Sequence, residues 1–159
     1  AGIEAGADFI MVSHISVSEV IETGEPASMS ELIMTTILRD ELGFEGLIIT
    51  DAFDMASITE TYTPAEAACG SFRAGADIIL VPENLEEAYQ GILDQVEDGT
   101  ITEDRLDSTV LRILQLKFQR GIMSLDDLAR MNATPTPEAT EAPTASPGKK
   151  NAKKNKKTS

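Results

Sequence analysis

Three short apolar runs recur along the chain, and each follows a glycine-containing segment that resembles the end of a helix. Residues 5–12 read AGADFIMV, residues 74–81 read AGADIILV, and a looser copy, ELGFEGLII, covers residues 41–49. Glycine often closes a helix in the left-handed conformation, and a short unbroken apolar run is typical of a strand buried on both faces. The pattern therefore predicts three repeats of a helix end followed by a strand.

Helical patterns separate and follow these strands. One is predicted from residues 28–30 to about residue 42, and others cover 64–74, about 85–97 and 102–121. Pro64 at a first helical position and Thr102 as an N-cap mark two of the starts. The first helix has Ser28 or Ser30 as its expected cap, and its expected inner face consists of Leu32, Ile33, Ile37 and Leu38.

The resulting order is β, α, β, α, β, α, α, which predicts the α/β class with a parallel sheet. Two architectures fit this order. One is a small doubly wound sheet, and the other is the C-terminal portion of a (β/α)8 TIM-type barrel, of which about three βα units are represented. A whole barrel needs roughly 250 residues, whereas this chain has 159.

Composition divides the chain near residue 130. Residues 131–159 are rich in Pro, Thr and Ala, end in a segment with six lysines, and lack the apolar period that a core needs. We predict that this part is a disordered linker and basic tail, which either binds anionic polymers or has no specific partner. Residues 1–130 hold 25 of the 27 acids and only seven basic residues. So acidic a body is not expected to bind nucleic acid.

Other classes of function find no support in the residue patterns. Cys69 is the single cysteine, which leaves no intrachain disulfide, and we expect a buried thiol there. No cluster with metal-ligand spacing, glycine-rich phosphate loop or serine nucleophile elbow is present, so we predict neither metal nor cofactor. No apolar run approaches the length of a membrane span.

Polar residues follow each predicted strand. Ser13 and His14 come after the first, and Thr50 and Asp51 after the second. Because the carboxyl ends of parallel strands meet at one edge, where α/β folds place reactive groups, Asp51 is a candidate catalytic carboxylate. A helix cap or turn acid is the alternative. His14, the only histidine, is either a substrate contact or a partly buried residue that fixes the loop after it.

An ordered series of motifs resembles one family. MVSHI at 11–15, PASMS at 26–30, LRDELGFEGLIITDAFDM at 38–55 and AGAD at 74–77 are similar to the C-terminal part of the catalytic barrel of family 3 glycoside hydrolases, in the β-N-acetylhexosaminidase branch. The resemblance covers about residues 1–122. It implies that residues 1–130 are a partial barrel, that Asp51 is the catalytic nucleophile, and that Met55 lies close to the bound sugar, while His14 stays a candidate substrate contact from its position after the first strand.

The resemblance also implies an activity and a missing part. The expected activity is that of a retaining exo-glycosidase, which releases terminal β-linked N-acetylglucosamine from chitooligosaccharide or peptidoglycan fragments. The family's acid/base residue and its Lys-His pair precede the matched segment, so this chain alone is expected to be inactive. A carbohydrate is the implied partner.

Two other functions remain open on the sequence. One is a β-glucosidase or β-xylosidase of the same family, which the residues after Asp51 do not separate from a hexosaminidase. The other is a small α/β binding module without catalysis, in which Asp51 only caps or turns the chain. The Pro/Thr/Ala-rich linker with its basic end favours a location outside the cytoplasm.

Overall fold

The computed structural model describes residues 1–17, 21 and 24–132, with only the backbone given at 131 and 132. The elements, in chain order, are strand β1 (Phe9–Val12), a 3₁₀ turn (Ala27–Met29), a π-helix (Leu32–Glu41), strand β2 (Leu47–Ala52), helices α1 (Ala56–Thr59) and α2 (Pro64–Ala74), strand β3 (Ile78–Leu80), and helices α3 (Leu85–Glu97), α4 (Glu103–Gln119) and α5 (Leu125–Asn132). Within these residues, no helix is long and apolar enough to cross a bilayer.

The three predicted strands form one parallel sheet in the order β1-β2-β3. Phe9 lies opposite Leu47, and Ile49 lies opposite Ile78. The central strand is the best buried, since Leu47 is 3% exposed and Ile48 is fully buried. The predictions of a parallel α/β sheet and of its strand positions are thus confirmed.

The predicted first helix differs from the prediction in type and in its cap. It is split into the 3₁₀ turn and the π-helix, in which Leu42 N–H donates to Ile37 O, five residues back, at 2.9 Å. Neither segment has a side-chain cap. Five-residue bonding changes the angle between successive side chains. Met34 therefore becomes fully buried, whereas Leu32, predicted to face the core, is 39% exposed.

The other predicted helices are confirmed, and two of their starts rest on local capping. Helix α2 has a capping box in which Thr63 Oγ1 accepts the Glu66 N–H and the Glu66 carboxylate accepts the Thr63 N–H. The Thr63 backbone and hydroxyl bonds lower the pKa of Glu66. Thr102 caps α4 as predicted, by accepting the Arg105 N–H at 3.2 Å.

Two clusters of apolar residues hold the sheet and helices together. The larger joins Met34, Ile48 and Ala76 with parts of the N-terminal segment. The smaller consists of Phe53, Ile58 and Ala67, with Met29, Tyr62 and Ile79 at its margin. Phe53 follows β2 directly, so this second cluster anchors the segment that leaves the carboxyl end of the central strand.

The chain divides into two compact units, Ala1–Ser124 and Leu125–Ser159. The first contains the sheet, the two clusters and helices α1–α4. The described part of the second unit is helix α5, in which Arg130 and Asp127 form an ion pair at 3.5 Å. Nearly all of the predicted linker and basic tail, residues 131–159, lies outside the described residues, so its disorder stays a prediction.

Candidate active site

Asp51 lies near the carboxyl end of β2, one residue before the strand ends. Its side chain is partly exposed, and its Oδ1 accepts the N–H of Ala52 at 2.8 Å. Asp51 therefore does not cap a helix. A carboxylate held by one backbone N–H and open to solvent retains lone pairs for another group.

The strand around Asp51 is irregular. Between β2 and β3 the register runs from Ile49 opposite Ile78 to Ala52 opposite Leu80, so β2 contains one extra residue. The buried Thr50 hydroxyl compensates, because its Oγ1 accepts the Leu80 N–H at 3.0 Å. Bulges of this kind occur next to active sites, where they redirect a side chain. Here the bulge contains Thr50 and Asp51.

His14 reaches across from β1 to the same edge. Its Nδ1 lies 2.6 Å from Ser28 Oγ, its Nε2 lies 2.9 Å from Ala52 O, and its ring lies 5.0 Å from the Phe53 ring. The prediction that the strand ends converge is confirmed for β1 and β2. The Ser28 hydroxyl, expected to cap a helix, instead bonds His14, and Ser30 Oγ has no partner among the described residues.

Met55 and Asp54 lie in the turn that follows β2. The Met55 side chain is 44% exposed, and its N–H donates to Ala52 O at 3.4 Å. Asp54 is exposed and caps no helix, because Met55 occupies the N-cap position of α1 without a side-chain bond. Asp51, His14 and Met55 therefore each form a hydrogen bond with the same residue, Ala52.

The third strand leaves the same edge through a strained residue. Val81 has a φ of +42°, the one positive value at a non-glycine position among the described residues. Left-handed backbone is costly for a β-branched side chain, and such residues cluster at functional sites. Asn84 follows this strand and caps α3 by accepting the Glu87 N–H at 3.2 Å.

The opposite edge of the sheet holds a buried ionic cluster that was not predicted from the sequence. Asp77 accepts bonds from Arg39 Nη2 at 2.5 Å, from Ile48 N at 2.9 Å and from Arg112 Nε at 2.9 Å. Burial lowers the pKa of Arg39, and Asp77 opposes that effect. The repeated Ala-Gly-Ala-Asp pattern contained a signal, because its other aspartate, Asp8, also pairs with an arginine.

A cavity of about 420 Å³ opens at this amino edge and not beside Asp51. Its lining includes Asp8, Phe44, Glu45, Arg112, Gln115 and Arg120. In parallel α/β folds the amino edge serves stability, whereas chemistry takes place at the carboxyl edge. Within the described residues, no three His, Cys, Asp or Glu side chains gather as metal ligands would.

The carboxyl edge thus offers a partly exposed carboxylate but no free imidazole nitrogen, since both nitrogens of the only histidine have protein partners. Such an edge can supply an attacking or charge-stabilising carboxylate. A proton donor for a leaving group would have to be a residue other than His14.

Comparison with known proteins identifies the family of this chain. Residues 1–116 match the family model "Glycosyl hydrolase family 3 N terminal domain". The chain is 34% identical over 131 residues to the β-N-acetylglucosaminidase/β-glucosidase of Cellulomonas fimi, which covers 77% of the chain and 23% of the relative. It is 36% identical over 144 residues to β-hexosaminidase A of Pseudoalteromonas piscicida, and this match covers 79% of the chain and 24% of the relative.

A solved structure supports the same family. The family 3 β-N-acetylglucosaminidase of Paenibacillus sp. str. FPU-7 superposes with a TM-score of 0.73 at 36% identity, over 76% of this chain and 23% of that one. The chain therefore spans about a quarter of the length of these relatives. The match to the family model extends over most of the chain and includes Asp51, His14 and Met55. The chain belongs to glycosyl hydrolase family 3, as its motifs predicted.

Proposed function

We propose that this chain carries the nucleophile of a retaining exo-glycosidase that releases terminal β-linked N-acetylglucosamine from chitooligosaccharides or peptidoglycan fragments. The observation that carries the proposal is the position of Asp51, partly exposed within a bulge at the carboxyl end of the central strand. The names of the relatives from Cellulomonas, Pseudoalteromonas and Paenibacillus support the sugar.

The chemistry follows from the carboxylate. Asp51 attacks the anomeric carbon, a glycosyl ester forms, and the bond to the leaving oxygen breaks as that oxygen takes a proton from a general acid. Water then attacks the same carbon from the leaving-group side, gives its proton to the conjugate base and frees Asp51. The general acid lies outside this chain, so residues 1–159 alone are expected to be inactive.

The strand order supports the proposal that residues 1–130 are part of a (β/α)8 barrel. Successive strands are neighbours in the order β1-β2-β3. With right-handed crossovers, such an order places all helices on one face of the sheet, as a barrel requires. A doubly wound sheet reverses its strand order at one point, and no reversal occurs among these strands.

Met55 completes the proposed sugar site, next to which both ring nitrogens of His14 are bound by protein groups. Met55 offers an exposed apolar side chain beside the strand end, which suits the apolar face of a sugar ring. A second candidate, a β-glucosidase of the same family, is favoured by the double name of the Cellulomonas relative. A binding module without catalysis is less favoured, because Asp51 caps no helix. A location outside the cytoplasm stays a prediction.

The experiment replaces Asp51 by Asn in a complete catalytic domain that contains this chain. Because Asn keeps the shape but removes the attacking anion, turnover should fall by several orders of magnitude while sugar binding survives. A mechanism-based fluorosugar should label Asp51 in the unmodified enzyme, since it traps the glycosyl ester. Competing N-acetylglucosaminide and glucoside substrates separate the two candidate specificities.

The matched control is Asp54→Asn, three residues away on the exposed turn. It removes the same charge from the same segment and should leave turnover within a small factor. Near-normal turnover in the Asp51→Asn enzyme, or a label on another residue, would contradict the assignment.

A further inference from the structure

His14 is bound by protein groups on three sides, and Ala52 lies between it and the carboxylate of Asp51. We propose that His14 is a positioning residue that fixes Ala52, the residue after the nucleophile, and with it the orientation of the Asp51 carboxylate. The inference rests on the proposed role of Asp51. It adds a structural role at the active site for His14, for Ser28 in the 3₁₀ turn and for Ala52.

Hydrogen-bond chemistry sets the form of the ring. A carbonyl oxygen only accepts, so the contact between Nε2 and Ala52 O at 2.9 Å requires a proton on Nε2. Ser28 is fully buried, and Nδ1 at 2.6 Å is the acceptor that the described residues offer to its hydroxyl proton. The structure thus assigns the neutral ring with the proton on Nε2, which orients one nitrogen towards each partner.

Ala52 transmits this constraint to Asp51. The Ala52 N–H donates to Asp51 Oδ1 at 2.8 Å, and the Ala52 carbonyl accepts from His14. The same carbonyl accepts the Met55 N–H at 3.4 Å, which closes the turn after the strand. If the ring is lost, the carbonyl keeps only the longer contact with the Met55 N–H, and both the carboxylate contact and the turn become less defined.

The surroundings of the ring suit a rigid support. Ser28 lies in the 3₁₀ turn, 14 residues along the chain, and the Phe53 ring packs on the imidazole at 5.0 Å with an interplanar angle of 48°. Phe53 is itself 2% exposed within the smaller apolar cluster. The histidine therefore connects β1, the 3₁₀ turn and the end of β2 at the point where the bulge displaces Asp51.

A positioning role predicts an effect on turnover rather than on binding. A carboxylate that samples several orientations attacks the anomeric carbon less often, whereas contacts with the rest of the sugar are kept. Misplacement of a reacting group by about 1 Å costs on the order of a hundredfold. We expect kcat to fall about 10- to 100-fold in His14→Phe, with KM changed by no more than about threefold.

The test compares His14→Phe, His14→Gln and Ser28→Ala in a complete catalytic domain that contains this chain. Phe keeps the ring but removes both hydrogen bonds, while the amide nitrogen of Gln extends to about the position of Nε2 and can donate to Ala52 O. His14→Gln should therefore recover most of the lost kcat, and Ser28→Ala should lie between. Rates are expressed per active site, counted by fluorosugar labelling, so that a smaller folded fraction does not appear as a slower enzyme.

The outcomes separate this inference from the proposed function. If Asp51→Asn abolishes turnover and His14→Phe leaves kcat per active site unchanged, the positioning role is wrong and the nucleophile stands. Equal losses in His14→Phe and His14→Gln, with matching losses of thermal stability, also overturn it. If Asp51→Asn retains turnover, the proposed function fails and the positioning role fails with it.

A second measurement needs no activity. Because His14 is the only histidine in the chain, ¹⁵N-histidine labelling of the 159-residue protein gives imidazole signals from one residue. We expect a protonated Nε2 with a slowly exchanging proton and an unprotonated Nδ1. A proton on Nδ1, or a ring that averages between both forms, would overturn the assignment.

Discussion

Asp77 is the residue whose replacement should cost most stability without touching the carboxyl edge. Its side chain is completely buried, and the partly exposed Arg39 and Arg112 both donate to it. In Asp77→Asn the amide NH₂ must face either Arg39 and Ile48 N–H or Arg112 and Thr109. Two donors then lose their acceptor, and two cations lose their anion.

The magnitude follows from that geometry. Removal of one partner from a buried ion pair costs about 3–5 kcal/mol, because the remaining charge stays without compensation. Arg39 and Arg112 have side-chain exposures of 16% and 28%, so water can solvate them in part. We therefore expect Asp77→Asn to lower the free energy of unfolding by about 3 kcal/mol, near the low end of that range.

The chain contains a matched control. Asp8 and Arg120 also form an ion pair at 2.5 Å, but their side chains are 31% and 55% exposed. Asp8→Asn should cost only a small fraction of the Asp77 effect, since solvent screens exposed pairs. Urea unfolding of each variant, followed by circular dichroism, gives both free energies from midpoints and slopes. Similar losses in the two variants would refute the argument that burial sets the cost.

Two further outcomes follow from local geometry. Gly75→Ala should lower the free energy of unfolding by roughly 1–3 kcal/mol more than Gly99→Ala. Both glycines have a positive φ, but of the two only Gly75 lies where an added Cβ would meet another side chain, Thr35 Oγ1 at 2.7 Å. Equal losses of stability in urea titrations of the two variants would contradict this. Burial raises the pKa of the Cys69 thiol, so a thiol reagent at pH 8 should modify the native chain far more slowly than the urea-unfolded chain, and equal rates would show the thiol to be accessible.

Features encoded within a few residues were predictable from the sequence. The starts of α2, at Pro64, and α4, after Thr102, were correct because a cap and its partner lie three residues apart. The repeated Ala-Gly-Ala-Asp segments correctly placed β1 and β3, since a helix end followed by a buried run is a local signal. Asp51 was placed at the end of β2 for the same reason.

Features that depend on distant partners were not predictable. Ser28 reads as a helix cap until the fold brings His14, 14 residues earlier, against its hydroxyl. The bulge around Asp51 exists only in relation to β3, because a register is a property of two strands. Asp77 and its arginines are separated by 38 and 35 residues, so the repeated Ala-Gly-Ala-Asp segment marks the aspartate but not its partners.

The two edges of the sheet therefore divide stability from chemistry, and one pair of substitutions can test the division. At the amino edge Asp77 has every oxygen occupied by protein donors, whereas at the carboxyl edge Asp51 retains accessible lone pairs beside a bulge and a strained Val81. Strain and unfilled bonding capacity persist only where the surrounding structure holds them. Asp77→Asn should consequently lower stability and leave turnover per folded molecule nearly unchanged, while Asp51→Asn should abolish turnover at nearly unchanged stability.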